Sequence, residues 1–279
     1  SLYLLISIGI KGGIELYHSD ADSVVIPILA TLLLGVIITN LAKFMLDKTN
    51  KFNAADAISI ATHYGSVSAV TFAVVISYVK SQGIAYENYM TVLLVMLEIP
   101  AIITGVILAA KASNKANNNI GVIIKEVFLG KSILLIVGGI FIGYTVGYTD
   151  NKQINFFFFD LFKGFLCLFM LEMGIITSER IKDLKKVGLT LIAFGVVMPL
   201  ISATLGILTG VFCGLSQGGT TILAAMAASA SYIAAPAAMR LALPEANPTF
   251  SLTAALGITF PFNVILGIPL YSYLTALFY

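Results

Sequence analysis

The sequence predicts an all-α polytopic membrane protein of ten helices in a 5+5 inverted repeat, two of them discontinuous and crossing, with the first helix or so missing from this chain. Three observations predict it. The 279 residues are 58% hydrophobic and 11% charged, where a soluble domain carries about 25% charged residues. Two short polar runs, Gly65-Ser66-Val67-Ser68 and Ser229-Ala230-Ser231-Tyr232, interrupt apolar segments and recur 163 residues apart, Ser66 to Ser229 and Ser68 to Ser231. Lysine and arginine are divided very unevenly between alternate connecting segments.

Taken in order, apolar stretches of membrane length fall at 24–46, 57–79, 90–110, 131–149, 156–178, 187–213, 219–241 and 250–276, eight in all. Residues 1–10 are apolar but too short to cross, and the first residue is not methionine. The chain is therefore expected to be a fragment, with one and a half helices preceding Ser1. Twelve basic residues, among them Lys43, Lys48, Lys51, Lys111, Arg180, Lys182 and Arg240, flank one set of span ends, while Lys11, Lys80 and Lys152 flank the other. The positive-inside rule makes the richer side cytoplasmic and puts Tyr279 outside, in a plasma (inner) membrane.

The halves are read as residues 1–110 and 131–279, joined by a polar cytoplasmic linker at 111–130. Two further anchors support this division. Glu98-Ile99-Pro100-Ala101 matches Thr259-Phe260-Pro261-Phe262, and Lys11-Gly12-Gly13 matches Glu172-Met173-Gly174, both at an offset of 161. An odd number of helices per half makes the second copy enter from the opposite side, an inverted repeat about an axis in the membrane plane.

Each polar run reads as a helix break. The span 57–79 carries Ser59, Thr62, His63, Tyr64, Ser66, Ser68 and Thr71, and 219–241 is rich in alanine with Pro236 after its serines. Such segments belong inside a bundle, where small residues allow close crossing and proline frees backbone carbonyls. The second half of a broken helix aims unpaired N–H groups and a positive dipole end at the gap, and serine adds a hydroxyl; together these attract a small anion. The first half ends in carbonyls suited to sodium. Candidate anion-binding residues are Gly65, Ser66, Val67, Ser68, Ser229, Ala230, Ser231 and Tyr232. Glu98, an ionisable group within a span, with Thr259 and Asn263, is the candidate sodium set. Cys167 and Cys213, both in apolar runs, are expected to be buried small hydrophobes, and Asp160 with Lys163 an intrahelical ion pair.

These residues resemble a family. Lys11-Gly12-Gly13, Gly65-Ser66-Val67-Ser68, Tyr86-Glu87, Glu98-Ile99-Pro100-Ala101, the run from Ala228 through Ser231-Tyr232 and Pro236 to Arg240, Leu243-Pro244-Glu245-Ala246-Asn247-Pro248 and Gly257-Ile258-Thr259-Phe260-Pro261-Phe262-Asn263 are similar to the cyanobacterial sodium-dependent bicarbonate transporters. The resemblance implies a core domain holding two crossing broken helices, a gate or scaffold domain that forms a homotrimer, sodium-coupled uptake of bicarbonate, and a cytoplasmic PII-like regulatory protein. Two features depart from the cyanobacterial pattern: Glu98 stands where aspartate precedes Ile-Pro, and the linker is short.

The expected function is sodium-coupled symport of bicarbonate, or another small anion, into the cell by alternating access. The alternative is a sodium symporter of a larger organic anion, of the bile-acid-symporter kind, and after it a membrane receptor or structural protein. An enzyme is not expected, because the chain lacks His-Glu-x-x-His and has no aspartate beside the breaks. A net charge of +2 without a basic stripe speaks against nucleic acid. Sodium and membrane lipid are the expected companions.

Overall fold

Residues 2–19, 21–112, 121, 125, 129–147, 155–181 and 184–279 are described by the computed structural model, and among them there are helices and no strands. The helices are α1 (Leu2–Tyr17), α2 (Ala21–Thr49), α3 (Ala54–Gly65), α4 (Ala69–Ser81), α5 (Met90–Ala112), α6 (Lys131–Val146), α7 (Phe162–Ile181), α8 (Leu184–Phe212), α9 (Gln217–Ala227), α10 (Ala234–Ala242) and α11 (Pro248–Ala276). A π turn, Phe156–Asp160, precedes α7. Most of the linker assigned to 111–130 lies outside the described residues, as does Lys152.

Five stretches of the described residues are long and apolar enough to cross a bilayer: Ser23–Thr49, α3 with α4 as Ala54–Ser81, α5, Gly188–Phe212 and α11. Large apolar side chains such as Leu33 on α2, Phe141 on α6, Leu168 on α7 and Ile265 on α11 point outward. Such an exterior is costly in water and natural in hydrocarbon.

Helix boundaries follow local chemistry. Asn53 caps α3 by accepting the Asp56 N–H at 2.7 Å, and Ser216 caps α9 through the Gly219 N–H at 3.2 Å. The helix α8 stops at Gly214, whose φ of +69° suits glycine, with the Leu215 N–H reaching back to the Gly210 carbonyl. Pro100 is accommodated inside an unbroken α5, whereas Pro261 in α11 is flanked by π turns at Thr253–Thr259 and Asn263–Gly267. The wider turns re-satisfy backbone that the proline would strand.

One packing pattern occurs twice. The long α2 packs on α3 and α5, and the long α8, kinked at Gly188 where φ is +76°, packs on α9 and the first π turn of α11, while α2 meets α8. The segment after each second half-helix also docks on the start of the other pair. Glu87 accepts the Ser216 N–H at 2.5 Å at the head of α9, and Asp56 at the head of α3 accepts the Asn247 N–H at 2.7 Å. Gly219 makes the first docking possible, because a Cβ there would stand 1.7 Å from a Glu87 carboxylate oxygen. Glu87→Ala is expected to cost about 2 kcal/mol, the loss of a charge-assisted bond to a helix N-terminus, seen as a lower melting temperature in detergent.

The pair α1 and α6 forms a separate unit that touches the remainder sparsely. Its helices meet backbone to backbone: a Cβ on Gly13 would lie 2.1 Å from the Ile140 carbonyl oxygen, and one on Gly143 would lie 2.0 Å from that of Ile10. Gly143→Ala is therefore expected to cost about 2–3 kcal/mol by overpacking, measurable by the same melts.

Two expectations are corrected. Cys167 is exposed and Cys213 half-buried, both as free thiols; their apolar runs face outward, so burial from water is provided by lipid rather than protein. Asp160 and Lys163 form no ion pair, because the π turn ends at Asp160 and Leu161 interrupts the helix between them. The described ion pairs are Lys11 with Glu15 and Lys43 with Asp47.

Candidate functional site

The first break is three residues long. Gly65 ends α3 against Thr39, where a Cβ would fall 1.8 Å from the Thr39 hydroxyl. Ser66 and Ser68 are extended, with φ, ψ of −85°, 171° and −97°, 112°. Serine and β-branched valine gain little from helix, and the Ser68 hydroxyl instead accepts the Thr71 N–H at 3.1 Å, capping α4. The second break runs from Ala228 to Ile233; the Ser231 hydroxyl accepts the Ala235 N–H at 3.3 Å as α10 begins. Pro236 sits in the first turn of α10, where its missing N–H has no intrahelical partner to lose.

The breaks are bonded to each other in both directions. The Ser68 N–H donates to the Ser229 hydroxyl at 2.9 Å, which donates to the Met226 carbonyl at 2.7 Å, and the Ser231 N–H donates to the His63 carbonyl at 2.8 Å. Two buried groups beside this crossing have no hydrogen-bond partner, the Ser66 hydroxyl and His63 Nε2, and the Tyr232 hydroxyl lies against Ser68. His63 Nδ1 is engaged by the Ser59 carbonyl at 2.7 Å, so the other ring nitrogen presents a lone pair.

A narrow cleft opens beside the crossing. Val67, Ser68, Ala69, Ser231, Tyr232 and Ile233 line it from the breaks, Leu5 of α1 and Ile136 of α6 close one side, and Glu98 of α5 reaches in. Unpaired N–H groups at the starts of α4 and α10 give this region a positive field. Glu98 is 5% exposed and has neither a hydrogen bond nor an ion pair among the described residues. A buried carboxylate without a partner is destabilising by several kcal/mol, so this cleft favours a cation near Glu98.

Thr259 and Asn263 do not line that cleft. The Thr259 hydroxyl donates to the Gly195 carbonyl at 2.7 Å and bonds Tyr64 Oη at 2.6 Å, tying α11 to α8 and α3. Asn263 donates to the Ala228 carbonyl at 2.8 Å and accepts from Tyr271 at 2.8 Å, holding the end of α9. Each keeps a spare lone pair. In the sequence, Thr259 is paired with Glu98 through the repeat and Asn263 joins them as the residue two past Pro261; Leu5 and Ile136 carry no signal there, being apolar residues in apolar runs. Among the described residues no three His, Cys, Asp or Glu side chains converge. Hydroxyls, carbonyls and one carboxylate suit a hard cation.

A family model described as the Na+-dependent bicarbonate transporter superfamily matches residues 1–276. The chain belongs to this superfamily. No curated protein matches it significantly. Membership in the bicarbonate transporter superfamily carries sodium-dependent bicarbonate transport at that level, with sodium as a transported ion, and makes the chain a non-enzymatic, multi-pass membrane protein.

Proposed function

We propose that the chain is a sodium–bicarbonate symporter that imports its anion by alternating access within a ten-helix inverted repeat. The observation that carries this reading is the crossing itself, where an unpaired Glu98 carboxylate and Tyr232 line a cleft at two helix starts and the unpartnered Ser66 hydroxyl is buried beside it. A bicarbonate ion placed there takes hydroxyl hydrogen bonds from Ser66, Ser68 and Ser231, while Ser229 holds the two breaks together. Its charge is repelled by Glu98 unless a sodium ion stands between them. Sodium at Glu98 thus completes the anion site, and the anion in turn raises sodium affinity by the same factor. A second sodium position falls at the spare lone pairs of Thr259 and Asn263.

The twice-occurring packing pattern and the paired breaks support the repeat. The glycine-paired α1 and α6, joined by α7, are the scaffold against which the core moves, and through which three copies associate. A PII-like regulator would dock on the lysine-rich face, and Tyr279 lies on the opposite, outer face of the plasma membrane. Native mass spectrometry tests the trimer, and protease access to a tag after Tyr279 in intact cells tests the orientation.

The deciding experiment is uptake of labelled bicarbonate into proteoliposomes driven by a sodium gradient. Uptake that ignores the gradient, or competition by large carboxylates, refutes the reading.

A further inference from the structure

A second cleft, of about 70 Å³, opens between α1, α4 and the π turn before α7. Ser7, Lys11 and Glu15 of α1, Phe72 and Ile76 of α4, and Tyr86 line it. The Lys80 ammonium stands 5.7 Å from the Tyr86 ring centre and faces Lys11, Glu15 and Lys163. Lys11 lies 3.9 Å from Glu15. Three ammonium groups thus share one carboxylate, an excess of positive charge at the mouth of an otherwise aromatic cleft.

Its position relative to the crossing is set by two helices. Along α4, Ser68 and Ala69 line the central cleft, Phe72, Ala73 and Ile76 line this one, and Lys80 ends the same face. Along α1, Leu5 lines the central cleft, while Ser7, Ile8, Lys11 and Glu15 line this one. From Ala69 to Lys80 the rise is about 16 Å. The Ser7 hydroxyl, 1% exposed, is buried between the ends against the Tyr3 hydroxyl, which donates to the Phe157 carbonyl.

We propose that Lys11, Lys80 and Ser7 form a capture site for a small oxyanion on the lysine-poor side, feeding the crossing along the α1–α4 face. Lys163 adds to its field, and Glu15 keeps binding weak enough for release inward. Bicarbonate as the oxyanion rests on the symporter reading; the capture chemistry does not. Charge concentrated in a low-dielectric cleft raises the local anion concentration and the rate of entry, and salt screens it.

Two measurements test this separately from the symporter reading. Binding of 13C-bicarbonate to purified protein in sodium-free buffer, followed by NMR line broadening, reads the capture site without the sodium-completed one. Broadening is expected for the unaltered protein and is expected to be lost in Lys11→Gln/Lys80→Gln. In sodium-driven uptake, the same double variant is expected to raise KM at least fivefold with maximal rate within twofold, and Glu15→Gln to lower KM. The opposite signs separate an electrostatic site from a misfolded variant. No sodium-free broadening, an unchanged KM, or a fall in maximal rate alone overturns the capture site, whereas absent sodium-driven uptake overturns only the symporter reading. The assays run in zwitterionic and in phosphatidylglycerol vesicles; an effect confined to the latter assigns the lysines to lipid headgroups and also overturns the proposal.

Discussion

Replacing Glu98 with glutamine is expected to abolish sodium-driven uptake and, in sodium-free medium, to raise the melting temperature. Both effects have one cause. The carboxyl group is buried at the crossing without a hydrogen bond or counter-ion among the described residues, so its burial goes uncompensated until a cation arrives. Removing the ionisable group relieves the protein without sodium and leaves sodium with no anionic ligand in the cleft. Breaking a buried ion pair is worth about 3–5 kcal/mol, which corresponds to a loss of sodium affinity of about 150–4,000-fold. Melting curves in sodium and in choline chloride provide the check: the unaltered protein is stabilised by sodium through linkage, and the variant is not. A sodium-dependent shift retained in Glu98→Gln refutes the assignment of Glu98 as a sodium ligand. Glu98→Asp, which shortens the side chain by one methylene, is expected to keep coupling with altered affinity.

Ser66→Ala and Ser229→Ala are expected to separate binding from folding at the same crossing. The Ser66 hydroxyl has no protein partner, so its removal leaves melting unchanged or slightly higher. It removes a hydrogen bond to the anion, worth about 1.5–3 kcal/mol when one partner is charged, or about 10–150-fold in KM for bicarbonate. Ser229 differs, because its oxygen accepts the Ser68 N–H and its proton goes to the Met226 carbonyl. Alanine there strands a buried N–H, and melting should fall by the equivalent of about 1–3 kcal/mol. Uptake kinetics and melts on the two variants give opposite patterns. If Ser66→Ala combined with Ser231→Ala leaves uptake intact, the anion is not held at the breaks.

Several parts of this arrangement were legible in the chain. The break after Gly65 follows from glycine and two serines around a β-branched residue, and the later one from serines and Pro236, because helix propensity and capping are local properties. Burial of the span containing Thr62, His63 and Tyr64 was legible too, since so many polar groups are costly against lipid. The fate of Cys167 was not. An apolar run has the same composition whether it faces protein or hydrocarbon, and only the neighbours of α7 decide that Cys167 lies outward. The Asp160–Lys163 pair failed for a similar reason, since a spacing of three brings side chains together only on an uninterrupted helix.

The sequence by itself determined that the chain lives in a membrane, where its two helices break, and which superfamily it belongs to, all of which rest on composition, local propensity and motif. The tertiary structure decided which polar atoms at the breaks are already used. Ser229 meets Ser68 across 161 residues and Tyr64 meets Thr259 across 195, so one serine became a strut while Ser66 kept a free hydroxyl. The same packing drew Thr259 and Asn263 into bonds away from Glu98 and left that carboxylate alone in the cleft. Hydrogen bonds saturate, and which distant partner claims each donor and lone pair depends on how the helices cross.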